Sequence, residues 1–342
     1  MDGIVMRSPT SASMPMNSMR DSRAIGSALG SKRNRTEMTG TDMQGCVCLI
    51  TGATDGHGKA MALDLTARGA DLILLARNRE KALAVQDEIA KANVDRRDGR
   101  GSAKPPEVIL ADLGSGEEID LAIETILASG RPLHLLVNNA GLVGLKRETN
   151  EAGLELTLAV NYLAMFRLTL GLLSRLEKSA PARIVNISSD SYRVGRIHLD
   201  DLQLENGYNL AKAYSQSKLA ILYFTIELSR RLRNSKVVAN AVDPGPVASN
   251  IGANNPGLAY RLARPMIQKL FPSARRAART ALMVATDPDL AEISGQYYRS
   301  LKLRAKPLEF DAELSERLWQ QSLALCGIEG DPLPPMPESA RD

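Results

Sequence analysis

From Gly45 onward the chain repeats one unit: a short apolar run, a glycine or polar turn, and a stretch of helix length. The apolar runs lie at 45–53, 71–77, 107–113, 133–138, 182–188 and 237–242, with helices expected at 59–68, 79–92 and 116–128. Strands that alternate with helices pair in parallel through right-handed crossovers, which sets helices on both faces of the sheet. The runs are apolar throughout rather than at every second residue, as strands covered on both faces must be. The expectation is an α/β chain with one doubly wound parallel sheet, and no second domain is needed.

The flanks read differently. Residues 1–44 hold seven of the twelve methionines, with six basic and four acidic residues and no apolar periodicity. They cannot bury a core, so a disordered extension is expected. No signal-peptide core and no run of about 20 apolar residues is present, so no membrane span is expected. A cytoplasmic protein is the main reading, with organelle import through this extension as the alternative. Residues 93–106 read as a charged surface insertion and 331–342 as a flexible, proline-rich tail, which leaves 45–330 as the folded domain. A net charge of +4 over 342 residues, with no basic stripe among aromatics, argues against nucleic acid. Three cysteines make no disulfide framework, and Cys46 and Cys48 alternate along the first strand. Three histidines in no ligand spacing argue against a catalytic metal.

Two helices, expected at 151–176 and 214–232, are apolar on more than one face. Burial within one chain and a homodimer interface both satisfy that pattern. Residues 249–281 read as a helical excursion, within which 260–271 is basic and amphipathic. A lid over the substrate or a patch touching membrane lipid are its two readings.

Chemistry concentrates at three places. Tyr214 and Lys218, four apart, lie one above the other on a helix face. A phenol loses its proton near pH ~10, and a neighbouring ammonium lowers that value, so the pair suits general acid/base work. Tyr-x-x-x-Lys also recurs by chance on solvated helices, so its weight depends on what lies upstream. Upstream, Thr51-Gly52-Ala53-Thr54-Asp55-Gly56-His57-Gly58 joins the first strand to the first helix. Glycines there permit a tight turn and let the backbone approach a diphosphate at the helix N-terminus. The second strand ends Ala76-Arg77-Asn78, with no acid for a ribose 2′-hydroxyl. A basic residue suits a 2′-phosphate, so Arg77, with Lys81 as helper, favours NADP(H) over NAD(H); a surface arginine is the plain alternative.

In order and on the expected elements, these motifs resemble the short-chain dehydrogenase/reductase family over about 45 to 298. The resemblance implies a Rossmann fold and a nicotinamide dinucleotide. It implies cofactor contacts from Gly52, Thr54, Gly56, His57 and Gly58. Further contacts come from Asp112 and Leu113, from Asn139 within Asn138-Asn139-Ala140-Gly141, and from Val247 after Pro244-Gly245. It assigns catalysis to Asn161, Ser189, Tyr214 and Lys218, with Ser188 the rival for the serine role. The twenty-five residues from Ser189 to Tyr214, with Asp201-Leu202-Gln203 and Leu318-Trp319, are similar to retinol dehydrogenases and WW-domain oxidoreductases. His57 stands where the family usually has an apolar residue, and is read either as a neutral, locally bonded imidazole or as a diphosphate contact.

The implied reaction is hydride transfer between the nicotinamide and a carbonyl carbon. In it Tyr214 protonates the oxygen, Ser189 holds that oxygen, Lys218 holds the ribose, and Asn161 positions a water. The pocket would draw on 190–212 and 249–275, where Leu258, Tyr260, Leu262, Met266 and Ile267 favour a lipophilic small molecule. A dinucleotide sensor without turnover is one alternative. Reduction of a carbon–carbon double bond, as in protochlorophyllide reductases, is another, although that chemistry does not need Ser189.

Overall fold

The computed structural model describes residues 42–94, 104–245, 273–304 and 309–333. Within them the repeated unit becomes an eight-stranded sheet. Its strands are β1 (Val47–Thr51), β2 (Asp71–Ala76), β3 (Glu107–Leu110), β4 (Leu135–Asn138), β5 (Ala182–Ile187), β6 (Val237–Asp243), β7 (Tyr297–Arg299) and β8 (Lys302–Leu303). They lie in the order β3-β2-β1-β4-β5-β6-β7-β8. Pairing is parallel from β3 through β7, and β8 returns antiparallel on β7. β1, β4 and β6 are buried at every residue, which is why those runs are apolar without alternation. The doubly wound sheet expected from the sequence is the fold observed.

The helices are α1 (Gly56–Ala67), α2 (Arg79–Val94), α3 (Gly116–Ala128), α4 (Leu156–Lys178), α5 (Leu210–Arg231), α6 (Ala274–Thr286) and α7 (Ala312–Leu325). Successive strand residues face opposite layers. Leu49 of β1 joins Leu136, Phe166, Phe224 and Trp319 under α3, α4, α5 and α7. Its neighbour Ile50 joins Met61, Leu74, Val137 and Leu282 under α1, α2 and α6.

Several boundaries differ from expectation for identifiable reasons. The first long apolar helix begins at Leu156 rather than 151, because the buried Glu155 carboxylate accepts the N–H groups of Thr157 (2.8 Å) and Leu158 (2.7 Å). α5 begins at Leu210 rather than 214, because Asn209 Oδ1 accepts the Lys212 N–H at 2.8 Å. Tyr214 therefore sits inside an established helix rather than at its fraying end. Cys46 precedes β1 and is half-buried, so only Cys48 belongs to the strand. β7 and β8 were not among the expected strands; three and two residues long, they leave no pattern to read.

The apolar faces of α4 and α5 are taken up within the chain. α7 lays Trp319 against Phe166 and Phe224, with ring centroids 5.0 and 5.7 Å away. Among the described residues, Leu210 is the one large apolar side chain on α4 or α5 that is exposed. Residues 156–178 are long and apolar enough to cross a membrane, yet 78% of their most apolar window is buried inside the fold. Arg231, at the end of α5, is wholly buried against Glu227 (2.7 Å), Glu316 (2.6 Å) and Asp331 (2.6 Å). Its guanidinium lies 4.1 Å from the Trp319 ring centroid. Docking continues to the buried Leu333, past the residue at which the sequence reading begins its tail.

Residues 1–41 and most of the 93–106 insertion lie outside the described residues, as does 246–272. That last stretch holds Val247 and the amphipathic segment read as a lid.

Candidate active site

The strand order reverses between β1 and β4, where an open α/β sheet forms a crevice beyond the carboxyl ends of its strands. The glycine loop leaves β1 there. Gly52 (φ 66°) and Gly56 (φ 49°) adopt left-handed backbone, which a side chain would strain. Gly58 meets a different demand: a Cβ there would lie 2.3 Å from Asn139 Nδ2 and 2.5 Å from the Gly52 carbonyl.

Asn139 fastens this loop to the end of β4. Its Nδ2 donates to the carbonyls of Thr51 (2.9 Å) and Gly52 (3.1 Å), while Thr51 Oγ1 accepts the N–H groups of Asn139 and Ala140, both at 3.0 Å. With Nδ2 committed as the donor, Asn139 Oδ1 is the acceptor that faces His57 Nδ1 at 2.8 Å. That arrangement assigns the imidazole proton to Nδ1. Burial lowers the His57 pKa, so the ring is neutral and bonded locally. Thr54 and Asp55 continue the loop, and the Asp55 carboxylate caps α1 through the Gly56 N–H at 2.7 Å.

Arg77 directly follows β2, its Nη1 3.4 Å from Asp112 Oδ2 and its side chain 64% exposed. Asp112 Oδ1 accepts the Gly114 N–H at 2.8 Å, and Leu113 packs partly buried on the core. The guanidinium is thus aligned at the rim of the crevice and open to solvent.

Across the crevice, Lys218 Nζ lies 5.5 Å from the Tyr214 ring centroid and donates to the Ile187 carbonyl at 3.0 Å. Burial lowers the Lys218 pKa to about 8. The two serines after β5 have separate tasks. The buried Ser188 Oγ donates to the Lys218 carbonyl at 2.9 Å, whereas Ser189 lies towards the Tyr214 phenol and lowers its pKa. Ser189 Oγ also accepts the Ser191 N–H at 3.3 Å and caps a short 3-10 turn, Asp190–Val194.

Burial raises the Tyr214 pKa, Ser189 lowers it, and the Asp243 carboxylate raises it. The net direction is upward, so any lowering by Lys218 is outweighed. The ammonium stands over the ring and donates its hydrogen bond to the Ile187 carbonyl.

Asn161 lies in a π-helical turn of α4, Ala159–Leu163. Its Oδ1 accepts the Leu142 N–H at 2.7 Å, and its Nδ2 donates to the Leu142 carbonyl and Ser217 Oγ, both at 3.0 Å. A Cβ on Gly141 would lie 3.3 Å from Asn161 Oδ1 and 3.6 Å from Lys218 Nζ, so that glycine keeps open the space the two share. The structure thus brings Asn161, Ser189, Tyr214 and Lys218 to one wall of the crevice, opposite the glycine loop.

Two supporting features escape sequence reasoning. Asn138 Nδ2 donates to Asn186 Oδ1 (2.8 Å) and Thr169 Oγ1 (3.0 Å), and Asn186 Nδ2 to Thr225 Oγ1 (2.9 Å), forming a buried polar ladder between β4, β5, α4 and α5. Asp243, 3% exposed at the end of β6, is the other. The available signal was the same in both cases: a polar residue inside or ending an apolar strand must be satisfied by something.

The sequence pattern of the short chain dehydrogenase family matches residues 46–256. The chain belongs to that family. Retinol dehydrogenase 13 of Homo sapiens is 36% identical over 293 residues, covering 83% of this chain and 86% of the relative. Retinol dehydrogenase 12 of Mus musculus is 37% identical over 296 residues (85% and 89%), and polyprenol dehydrogenase of Danio rerio 34% over 298 (84% and 88%). These relatives put the short-chain dehydrogenase described here in the retinol dehydrogenase-like subgroup.

Among solved structures, an uncharacterized protein from Mycobacterium Paratuberculosis superposes with a TM-score of 0.63 at 28% identity, covering 84% of this chain and 95% of that one. A Beutenbergia cavernae protein described as an NAD(P) dependent gluconate 5-dehydrogenase, solved with NADP at low occupancy, gives 0.58 at 26% identity (75% and 96%). Short-chain dehydrogenases are oxidoreductases that interconvert alcohols and carbonyls with a nicotinamide dinucleotide. The left-handed Gly52 before α1 and Gly56 at its first residue, the cation at the end of β2 and the buried Lys218 fit such a cofactor.

Proposed function

We propose that this short-chain dehydrogenase uses NADP(H) to interconvert a lipophilic ketone or aldehyde and its alcohol, with Tyr214 as general acid/base and 45–330 as the catalytic domain. The observation that carries the reading is Lys218 Nζ, buried 5.5 Å from the Tyr214 ring centroid, with Ser189 near enough to the phenol to lower its pKa.

When bound, the nicotinamide supplies the hydride for reduction and accepts it for oxidation. In the reductive direction Tyr214 gives its phenolic proton to the substrate oxygen. Ser189 hydrogen-bonds the same oxygen, where charge grows as the carbonyl is reduced. Lys218 holds the ribose hydroxyls and, as a cation near the phenol, favours the phenolate that proton transfer leaves behind. A π turn redirects main-chain groups, and Asn161 within one is suited to hold a water behind Lys218 that restores the proton.

Gly52, Thr54, Gly56, His57, Gly58 and Asn139 form the diphosphate side of the proposed cofactor site, and Asp112 and Leu113 the adenine side. Val247 belongs to it by family resemblance alone. The exposed guanidinium of Arg77, with no acid at the end of β2, supports NADP(H). Leu145 and Val194, 79% and 80% exposed on the loops that follow Gly141 and Ser189, support a lipophilic substrate. The relatives named for retinol and polyprenol point the same way.

The test is absorbance at the nicotinamide band with NADPH or NADH and a panel of aliphatic, aromatic, steroid and retinoid carbonyls. Turnover with NADPH is expected to exceed that with NADH. Tyr214→Phe is expected to lower kcat by about 10²-fold or more. A mutant that keeps its rate removes Tyr214 from the chemistry, and a preference for NADH removes the reading of Arg77.

A further inference from the structure

Asp243 keeps a carboxylate at the end of β6, 3% exposed, where an unpaired charge would be costly. Two of its contacts lead towards the turn that carries Ser189. Oδ1 accepts the Gly245 N–H at 2.8 Å, and the main-chain N–H of Asp190 acts on the carboxylate to lower its pKa. Oδ2 pairs with Arg299 Nε at 3.0 Å. Arg299, on β7, extends its Nη1 to Asp190 Oδ2, and Arg193 Nε meets the other Asp190 oxygen at 2.9 Å. Asp190 is the residue after Ser189. One guanidinium thus joins two carboxylates from two elements, and the serine is set between them and Tyr214.

We propose that Asp243 and Arg299 are positioning residues: with Asp190 they clamp the Ser189 turn to β6 and β7 and set the charge balance beside the Tyr214–Lys218 pair. The inference rests on Ser189 and Tyr214 being the reacting pair. Among the described residues, the other ionisable groups facing the cluster are Tyr192 and Arg193 from the turn, Tyr297 from β7, and Tyr214 and Lys218 from α5. Asp243 raises the pKa of both Tyr214 and Lys218 and so opposes the desolvation that would strip the lysine of its charge. Arg299 offsets Asp243 from the far side.

Charge balance and simple clamping make different predictions. Removing the Asp243 charge should lower the Tyr214 pKa; removing the Arg299 charge leaves Asp243 without its cation, Asp190 keeping Arg193, and should raise it. Asp243→Asn is therefore expected to shift the Tyr214 titration down by about one pH unit, and Arg299→Met to shift it up by about as much. The double variant should return close to the parent. A part that only holds structure would weaken folding in both variants without moving the titration in opposite senses.

The measurement is 13C NMR of ring-labelled tyrosine across pH, with the Tyr214 resonance identified by its loss in Tyr214→Phe. It needs no substrate. Asp190→Asn, which leaves the Asp243–Arg299 pair in place, is expected to shift the titration down as well; Arg299→Gln, which removes the same charge and is expected to shift it up, serves if Arg299→Met does not fold. Shifts of one sign for Asp243→Asn and Arg299→Met, or none in any variant, overturn the inference. Opposite shifts in a protein that turns over no carbonyl would sustain the charge balance while removing the proposed function.

Discussion

Lys218 is a cation in a place that disfavours cations. Its side chain is 5% exposed, and burial brings its pKa from 10.5 to about 8. Because the folded value is the lower one, the unfolded chain binds more protons between about pH 8 and 10.5, and stability contributed by this residue rises with pH across that window. Below pH 8 the desolvation cost is fully present. Lys218→Met is expected to abolish turnover and to remove this rise. Chemical denaturation of parent and variant at pH 7.5 and pH 10 checks it, and a difference in stability that is the same at both pH values would contradict the residue's burial as described. Asp55, Asn209 and Asp311 show the opposite economy, each capping a helix through a side-chain bond of 2.7–2.9 Å.

At the level of elements, α7 is joined to α5 by both apolar and ionic contacts. Trp319 stacks on Phe224 at an interplanar angle of 12°, while Arg231 is surrounded by Glu227, Glu316 and Asp331. Arg231→Met would leave Glu227, whose side chain is 4% exposed, as a buried charge without its cation. A loss of about 3–5 kcal/mol is expected in urea unfolding, with an unchanged slope if the native fold persists. A loss below about 1 kcal/mol would mean the carboxylates find other partners. None of this could be read in the sequence, because Arg231 falls in an unremarkable Ser229-Arg230-Arg231 run and its partners come from residues 316 and 331. The strands β1, β2, β4, β5 and β6 were legible because burial on both faces leaves continuous apolar runs, and β3 was legible as an apolar run although Leu110 is 43% exposed. Tyr297-Tyr298-Arg299 was not, being three residues long and followed by left-handed Ser300 (φ 53°) and Leu301 (φ 60°). In the site, Tyr214, Lys218 and the glycines stood out through their spacing, and Ser189 through family resemblance. Asp243 was hidden because an aspartate before Pro-Gly looks like any turn former.

For the molecule as a whole, the two layers of the sheet are closed by different parts of the chain. α1, α2 and α6 cover one face, and α3, α4, α5 and α7 the other. A chain ended at residue 304 would lose α7 and uncover Phe166 and Phe224, which are 0% and 2% exposed. Such a chain is expected to self-associate with rising concentration in sedimentation velocity, while the full chain does not do so through this face. A truncated chain that stays monomeric and melts as the parent does would show that α7 is dispensable.

The covering helix is also the last helix described, and that gives the fold a history in time. During synthesis α4 and α5 exist before the segment from Leu232 to Asp311 has been made. At the usual pace of translation that segment takes about 4–16 s. For that interval the nascent chain presents an uncovered aromatic face, so its escape from aggregation depends on chaperone supply and on how quickly the ribosome delivers the C-terminus.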